Sequence, residues 1–172
     1  RAAEMRVRCG PDVPPAENPG ISLGLLLGVL ARDYGRDKVT VSATAGLSSF
    51  GAWLEQLIAE STGKQGTGLI PVDNEPLASP QRYGNDRVFV HVQTAGEADA
   101  HADDALDALA KAGHPIVTIT LPDVRDLGGE FFRWEIATAA AGSVLGINPF
   151  DQPDVEASKI KTRALTDQYE RE

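Results

Sequence analysis

A chain of 172 residues with 42% hydrophobic and 24% charged residues has enough apolar material for a real core and enough charge for an aqueous surface. Its net charge of −9 and the lack of any Lys/Arg run exclude a phosphate backbone as the expected partner, so no nucleic acid is expected. The single cysteine, Cys9, excludes an internal disulfide and fits a reducing, cytoplasmic setting, and the longest apolar run, Ile21 to Leu30, is shorter than the ~20 residues a bilayer span needs.

In chain order, residues 1–15 read as a helix end closed by Cys9-Gly10 and a stiff link built on Pro11, Pro14 and Pro15. Because the chain opens at Arg1 in helical character without an initiating methionine, a preceding segment is expected. Residues 16–172 carry the main domain. Asn18 can cap a helix that takes Pro19 at its first position and stops at Gly35; its leucines occupy more than one face, which predicts burial on both sides. Lys38 to Thr44 alternates with β-branched residues and predicts a strand. A helix over Leu47 to Ser61 follows, with Leu47, Phe50, Leu54, Leu57 and Ile58 on one stripe.

Gly68 to Val72 predicts a second strand, and Asp73 to Asp86 a polar loop. Arg87 to Gln93 is nearly continuous in apolar residues, as a strand covered on both faces should be. Ala98 to Ala112 predicts a helix, Pro115 to Leu121 a fourth strand, and Gly129 to Leu145 a long apolar helix near the centre. Alternating strands and helices with short turns make this an α/β fold, a three-layer sandwich with a mostly parallel sheet.

Two stretches stand out. The last apolar helix breaks at Gly146, turns through Pro149, and restarts after Asp151 or Gln152, with Asp151 able to cap the new helix and Pro153 and Asp154 in its first turn. Lys159 lies four residues after Val155 and shares the face Val155 turns toward the protein; the plain alternative is a surface pair with Glu156. Earlier, Gln56 and Glu60 project from one side of the helix over residues 47–61. Glu60 falls in its last turn, where the dipole disfavours an anion, and such local violations collect at working sites. The plain alternative is a solvated carboxylate near a helix end.

The order of residues says more than their spacing. Gly146-Ile-Asn-Pro-Phe-Asp-Gln-Pro-Asp-Val-Glu-Ala-Ser-Lys159 resembles the carboxy-terminal signature of glucose-6-phosphate isomerases, with Asp154 where that family usually has glycine. Gln56-Leu-Ile-Ala-Glu-Ser-Thr-Gly-Lys64 resembles a second segment of the same family, in the same order along the chain. The resemblance covers roughly residues 16 to 165. It implies the sugar isomerase (SIS) fold, with a five-stranded parallel sheet, and makes this chain the second, C-terminal SIS half of such an enzyme. The short links also resemble the isomerase part of bifunctional transaldolase/glucose-6-phosphate isomerases.

The implied activity is interconversion of glucose 6-phosphate and fructose 6-phosphate, as in glycolysis and gluconeogenesis. Glu60 is then the base, Lys159 the second catalytic group, and Gln56 and Gln152 contact the sugar; no metal and no cofactor is needed. One carboxylate over the C1–C2 edge can remove and return the proton, and donors must hold the enediolate formed between. Implied partners are a sugar phosphate, an upstream phosphate-binding SIS half, and a second copy in a homo-oligomer. The family's ring-opening histidine is not matched, because the loop over Asp73 to Asp86 holds none, while His91, His101 and His114 read as structural. Two other readings stand beside this one: a non-catalytic SIS module that binds a sugar phosphate or a partner, as in regulators, and a flavodoxin-like cofactor domain, for which the chain lacks any Gly-x-Gly-x-x-Gly after a strand.

Overall fold

All four expected strands form and all run parallel, in the order β2-β1-β3-β4. In this computed structural model the described residues are 1–97, 99–151 and 153–171, Asp154 by its backbone alone. The elements are α1 (Ala2–Arg8), α2 (Pro19–Tyr34), β1 (Lys38–Ala43), α3 (Phe50–Thr62), β2 (Ile70–Asp73), β3 (Arg87–Thr94), α4 (Ala100–Lys111), β4 (Ile116–Leu121), α5 (Leu127–Leu145) and α6 (Pro153–Tyr169). The sheet has four strands among the described residues, where the family resemblance implied five.

The strands separate two apolar layers. Val39 and Val41 of β1, Val88, Val90 and Val92 of β3, and Ile119 and Leu121 of β4 pack with Leu23 and Leu27 of α2, Leu54 and Ile58 of α3, and Trp134 of α5. Phe89 points the other way and packs with Leu106 and Leu109 of α4 and with Leu77 and Tyr83 of the loop before β3. Period-two alternation therefore buries both faces of β3, which explains its unbroken apolar run. Helices cover both faces, as a three-layer α/β arrangement requires.

The α2–α5 pair is the closest helix contact. Gly20, Gly24 and Gly28 recur every four residues, and a Cβ on Gly24 would lie 2.2 Å from the Ala137 carbonyl oxygen. The i±4 row of α2 is thus a groove into which the small residues of α5 settle. Leu25 and Leu26, at 38% and 41% exposure, lie outside that contact, so α2 is not buried all round as its leucines predicted. Its ends follow the sequence closely: the Asn18 side chain accepts from the Ile21 amide, and Gly35 closes the helix in the left-handed region.

Two boundaries differ from expectation. The stripe beginning at Leu47 is not one helix; residues 45–47 form a 3₁₀ turn and the α-helix starts at Phe50. Leu47 is still fully buried, because the tight turn carries it onto the same core. Asp99 caps α4 by accepting from the Ala102 amide, while the expected start at Ala98 lies outside the described residues. The terminal helix α6 forms over Pro153–Tyr169 as read, yet each of its described side chains is exposed.

Candidate functional site

The site begins with how α3 ends. Thr62 is buried, and its hydroxyl donates to the Ile58 carbonyl while accepting from the Leu69 amide, which stitches the last helical turn to the chain entering β2. Lys64 and Thr67 pair through both backbone bonds, 3.0 Å each, around Gln65 and Gly66, whose φ angles are +55° and +76°. This is a two-residue turn of the kind that needs positive φ at both central positions. The helix end carrying Glu60 is therefore knotted into a tight hairpin.

On the outward side of α3, the Gln56 amide donates to Glu60 Oε2 at 2.9 Å. Both side chains line a cleft of about 260 Å³ together with Trp53, Leu57, Ser61, Glu135 and Pro149. Trp53 is held by the ring of Phe50, stacked at 5.6 Å, and by Phe131 edge-on at 4.6 Å. One wall of the cleft is thus rigid aromatic surface and another is the turn after α5. A volume below the roughly 300–1,000 Å³ of complete small-molecule sites suits part of a site.

That turn is shaped by its own residues. Gly146 takes φ +73° and closes α5, and the Ile147 amide donates to the Gly142 carbonyl at 3.0 Å. Pro149 folds back over Gly142, where a Cβ would come within 2.9 Å of its ring, so the helix needs glycine at that position. The Asn148 side chain then accepts from the Phe150 amide at 3.1 Å.

Lys64 joins the two motifs. Its side chain is 4% exposed, and Nζ donates to the Asn148 carbonyl at 2.8 Å and to the Asp151 carbonyl, and pairs with Asp151 Oδ1 at 3.1 Å. The two stretches singled out in the sequence therefore meet in space. They meet through Lys64 and Pro149 rather than through Lys159.

Lys159 is exposed and pairs with Glu156 at 3.0 Å, the plain alternative noted from its spacing. It lines a separate hollow with Val155, Ser158, Thr162 and Arg163, all from α6, and is not among the residues lining the Gln56–Glu60 cleft. The expected inward face of α6 is corrected: Val155 is 37% exposed, because α6 runs along the outside of this chain. Gln152 lies outside the described residues. Sequence reasoning passed over Glu135 and gave Lys64, the last residue of its motif, no role. Glu135 sits in an apolar helix with no motif around it, and the partners of Lys64 are 84 and 87 residues away.

Two of the three histidines are buried and one is exposed. His91 Nδ1 is 2.8 Å from Ser42 Oγ across β1 and β3, and burial pushes its pKa down, opposed by the charges of Asp103 and Asp99. His114 is buried edge-on against Phe89 at 5.4 Å. His101 is exposed near the start of α4. Among the described residues no helix is long and apolar enough to cross a membrane.

Fold and cleft together define a parallel α/β domain that presents an amide–carboxylate pair beside an aromatic wall. No family model matches the chain. Curated homologues named glucose-6-phosphate isomerase do match it. The protein of that name from Rubrobacter xylanophilus is 28% identical over 186 residues, covering 87% of this chain and 43% of the relative. The one from Symbiobacterium thermophilum is 27% identical over 199 residues, covering 95% and 44%. Among solved structures, a glucose-6-phosphate isomerase from Chlamydia trachomatis superposes with a TM-score of 0.63 at 18% identity, over 98% of this chain and 42% of that one. A glucose-6-phosphate isomerase like protein from Thermus thermophilus gives a TM-score of 0.64 at 16% identity, over 90% and 51%. The structural likeness establishes the fold. The chain spans less than half the length of these curated relatives and is a homologue of one part of them.

Proposed function

We propose that this chain is the C-terminal SIS half of a glucose-6-phosphate isomerase and that Glu60 is the base of an aldose–ketose interconversion. The observation that carries this reading is the meeting of the two motifs: Gln56 and Glu60 of one share a cleft with Pro149 of the other. In the forward direction Glu60 takes the C2 proton of the open-chain aldose and returns it to C1, with an enediolate between. Gln56, already donating to Glu60 Oε2, holds the carboxylate in one orientation and lies where a sugar hydroxyl would compete for the same amide. Trp53 covers one side, which slows exchange of the carried proton with water.

Lys159 lies outside the cleft and would approach the sugar oxygens once α6 docks on the upstream half or on a second copy. Gln152 is assigned to the sugar by the family resemblance alone. Ring opening would then fall to Lys159 or to a residue of that other segment. The phosphate would be held by the upstream half, and the whole enzyme would be cytoplasmic and oligomeric. A transaldolase fused outside these residues is compatible with this arrangement.

The place of Lys159 outside the cleft favours a second reading, a sugar-phosphate-binding module without turnover. One experiment separates them. The full-length polypeptide containing this chain is assayed for conversion of fructose 6-phosphate to glucose 6-phosphate, as wild type and as Glu60→Gln. The isomerase reading expects turnover in the wild type, and a loss of at least ~10²-fold with substrate affinity kept in the variant. Binding without turnover in the wild type would establish the module instead.

A further inference from the structure

We infer that Lys64 is a positioning residue for the cleft: its buried ammonium clamps the 148–151 turn against the end of α3 and so sets the wall opposite Glu60. Three observations carry this. The ammonium is almost wholly removed from water, on a side chain 4% exposed. Its partners, the carbonyls of Asn148 and Asp151 and the Asp151 carboxylate, all belong to one turn. And the backbone on which it is mounted is rigid, because Lys64 is the first residue of the tight hairpin closed by Thr67 while Thr62 anchors the preceding helical turn.

The geometry explains the chemistry needed. A buried ammonium is tolerated only with its donors satisfied, and here it meets two carbonyl oxygens and a carboxylate oxygen, all from the one turn. Pro149 stands between two clamped residues, Asn148 and Asp151. Its ring borders the cleft that holds Gln56 and Glu60. Release of the ammonium would free the turn on its outer side while leaving it tethered to α5 through the Ile147 amide. The wall of the cleft, and the start of α6 that follows it, would lose their fixed distance from Glu60. Arginine at this position can present the same charge but not the compact ammonium, so it should restore only part of the clamp.

The clamp itself is independent of any substrate; its consequence for catalysis rests on the isomerase reading, and the test keeps the two apart. In this 172-residue chain, backbone ¹⁵N order parameters are measured for residues 147, 148, 150 and 151, Pro149 having no amide proton, and, as internal reference, for α2 and α5. Lys64→Met is expected to lower the values at 148, 150 and 151 from about 0.85 to below about 0.6, with α2 and α5 unchanged. Asp151→Asn keeps the backbone carbonyls, alters only a side chain that is 52% exposed, and is expected to give a smaller drop in the same residues. Lys64→Arg should fall between Lys64→Met and wild type.

In the full-length polypeptide, Lys64→Met is expected to lower kcat by roughly 10–100-fold with KM within about threefold, the signature of a misplaced wall rather than a lost contact to substrate. Order parameters at 148, 150 and 151 that stay at wild-type values in both Lys64→Met and Asp151→Asn overturn the clamp. A loosened turn with unchanged kcat, in an enzyme that Glu60→Gln does inactivate, overturns the positioning role. Failure of the isomerase reading would show instead as Glu60→Gln retaining turnover, whatever Lys64 does.

Discussion

Substituting Gly24 by alanine tests the tightest contact of the fold. A Cβ there would lie 2.2 Å from the Ala137 carbonyl oxygen and 2.7 Å from Ala140 Cβ. Optimal separations between carbon atoms are about 3.5–4.0 Å, so α2 and α5 must part by roughly 1 Å to admit the methyl group. The obstructing oxygen is backbone and cannot rotate away. Overpacking of this kind costs about 1–3 kcal/mol, and the upper end applies where the helices themselves must move. Alanine returns about 0.5–1 kcal/mol of helix propensity. The net expectation is about 2 kcal/mol of destabilisation, or a fall in Tm of roughly 4–8 °C for a domain of this size. Thermal and urea unfolding of Gly24→Ala beside Gly128→Ala makes the comparison. Gly128 lies in α5 with nothing within 4 Å of its added Cβ, so that variant should gain about 0.5 kcal/mol. A Gly24→Ala protein as stable as wild type, with an unchanged urea slope, would refute the close-packing argument.

Three further outcomes follow from the same structure. Burial raises the pKa of Glu130, with the charges of Arg133 and Arg8 opposing, so between the ordinary value of 4.5 and the raised one the folded state holds a proton the unfolded chain has lost. Stability from this group is present below pH 4.5 and falls as pH rises; the difference in Tm between pH 4.5 and pH 7.5 should therefore change in Glu130→Gln, favouring the variant at the higher pH. His91 has the opposite sign: burial lowers its pKa below 6.5, the unfolded chain binds the extra proton, and stability drops as pH falls through that value. His91→Gln should flatten that acid-side loss in a pH series of unfolding curves. Finally, because each described side chain of α6 is exposed, a chain ending at Asp151 should keep its Tm within about 2 °C, as for surface changes of about 0.5 kcal/mol; a larger loss would show that α6 stabilises this domain.

Much of the fold was legible where a local rule acts alone. Asn18-Pro19 and Gly35 bound α2 because capping and positive φ depend on the residues themselves, and Gly146 ends α5 for the same reason. The unbroken apolar run of β3 foretold cover on both faces, and Phe89 on α4's side confirms it. What periodicity could not show was which face of α2 mattered. Leucines drew the reading, yet the helix–helix contact is made by Gly20, Gly24 and Gly28, residues that contribute by having no side chain. The start of α3 was misjudged because a 3₁₀ turn can bury Leu47 on the same stripe as an α-helix.

The candidate site was half legible. Gln56 and Glu60 share a helix face by spacing alone, and the structure joins them by a hydrogen bond. Lys64 and the 148–151 turn could not be paired from spacing, since their contact depends on how α3 and α5 lie side by side. Lys159 has the opposite lesson: four residues after Val155 gives a shared face, but nothing in the spacing says whether that face meets anything within this chain.

The central claim is that Glu60 moves a carbon-bound proton, and isotope exchange reads that step directly. The full-length polypeptide is incubated with fructose 6-phosphate in ²H₂O, and deuterium at C1 is followed by NMR. Wild type should incorporate it, and Glu60→Gln should bind the sugar phosphate yet incorporate it at least ~10²-fold more slowly. Exchange in Glu60→Gln at the wild-type rate would contradict the assignment of the base.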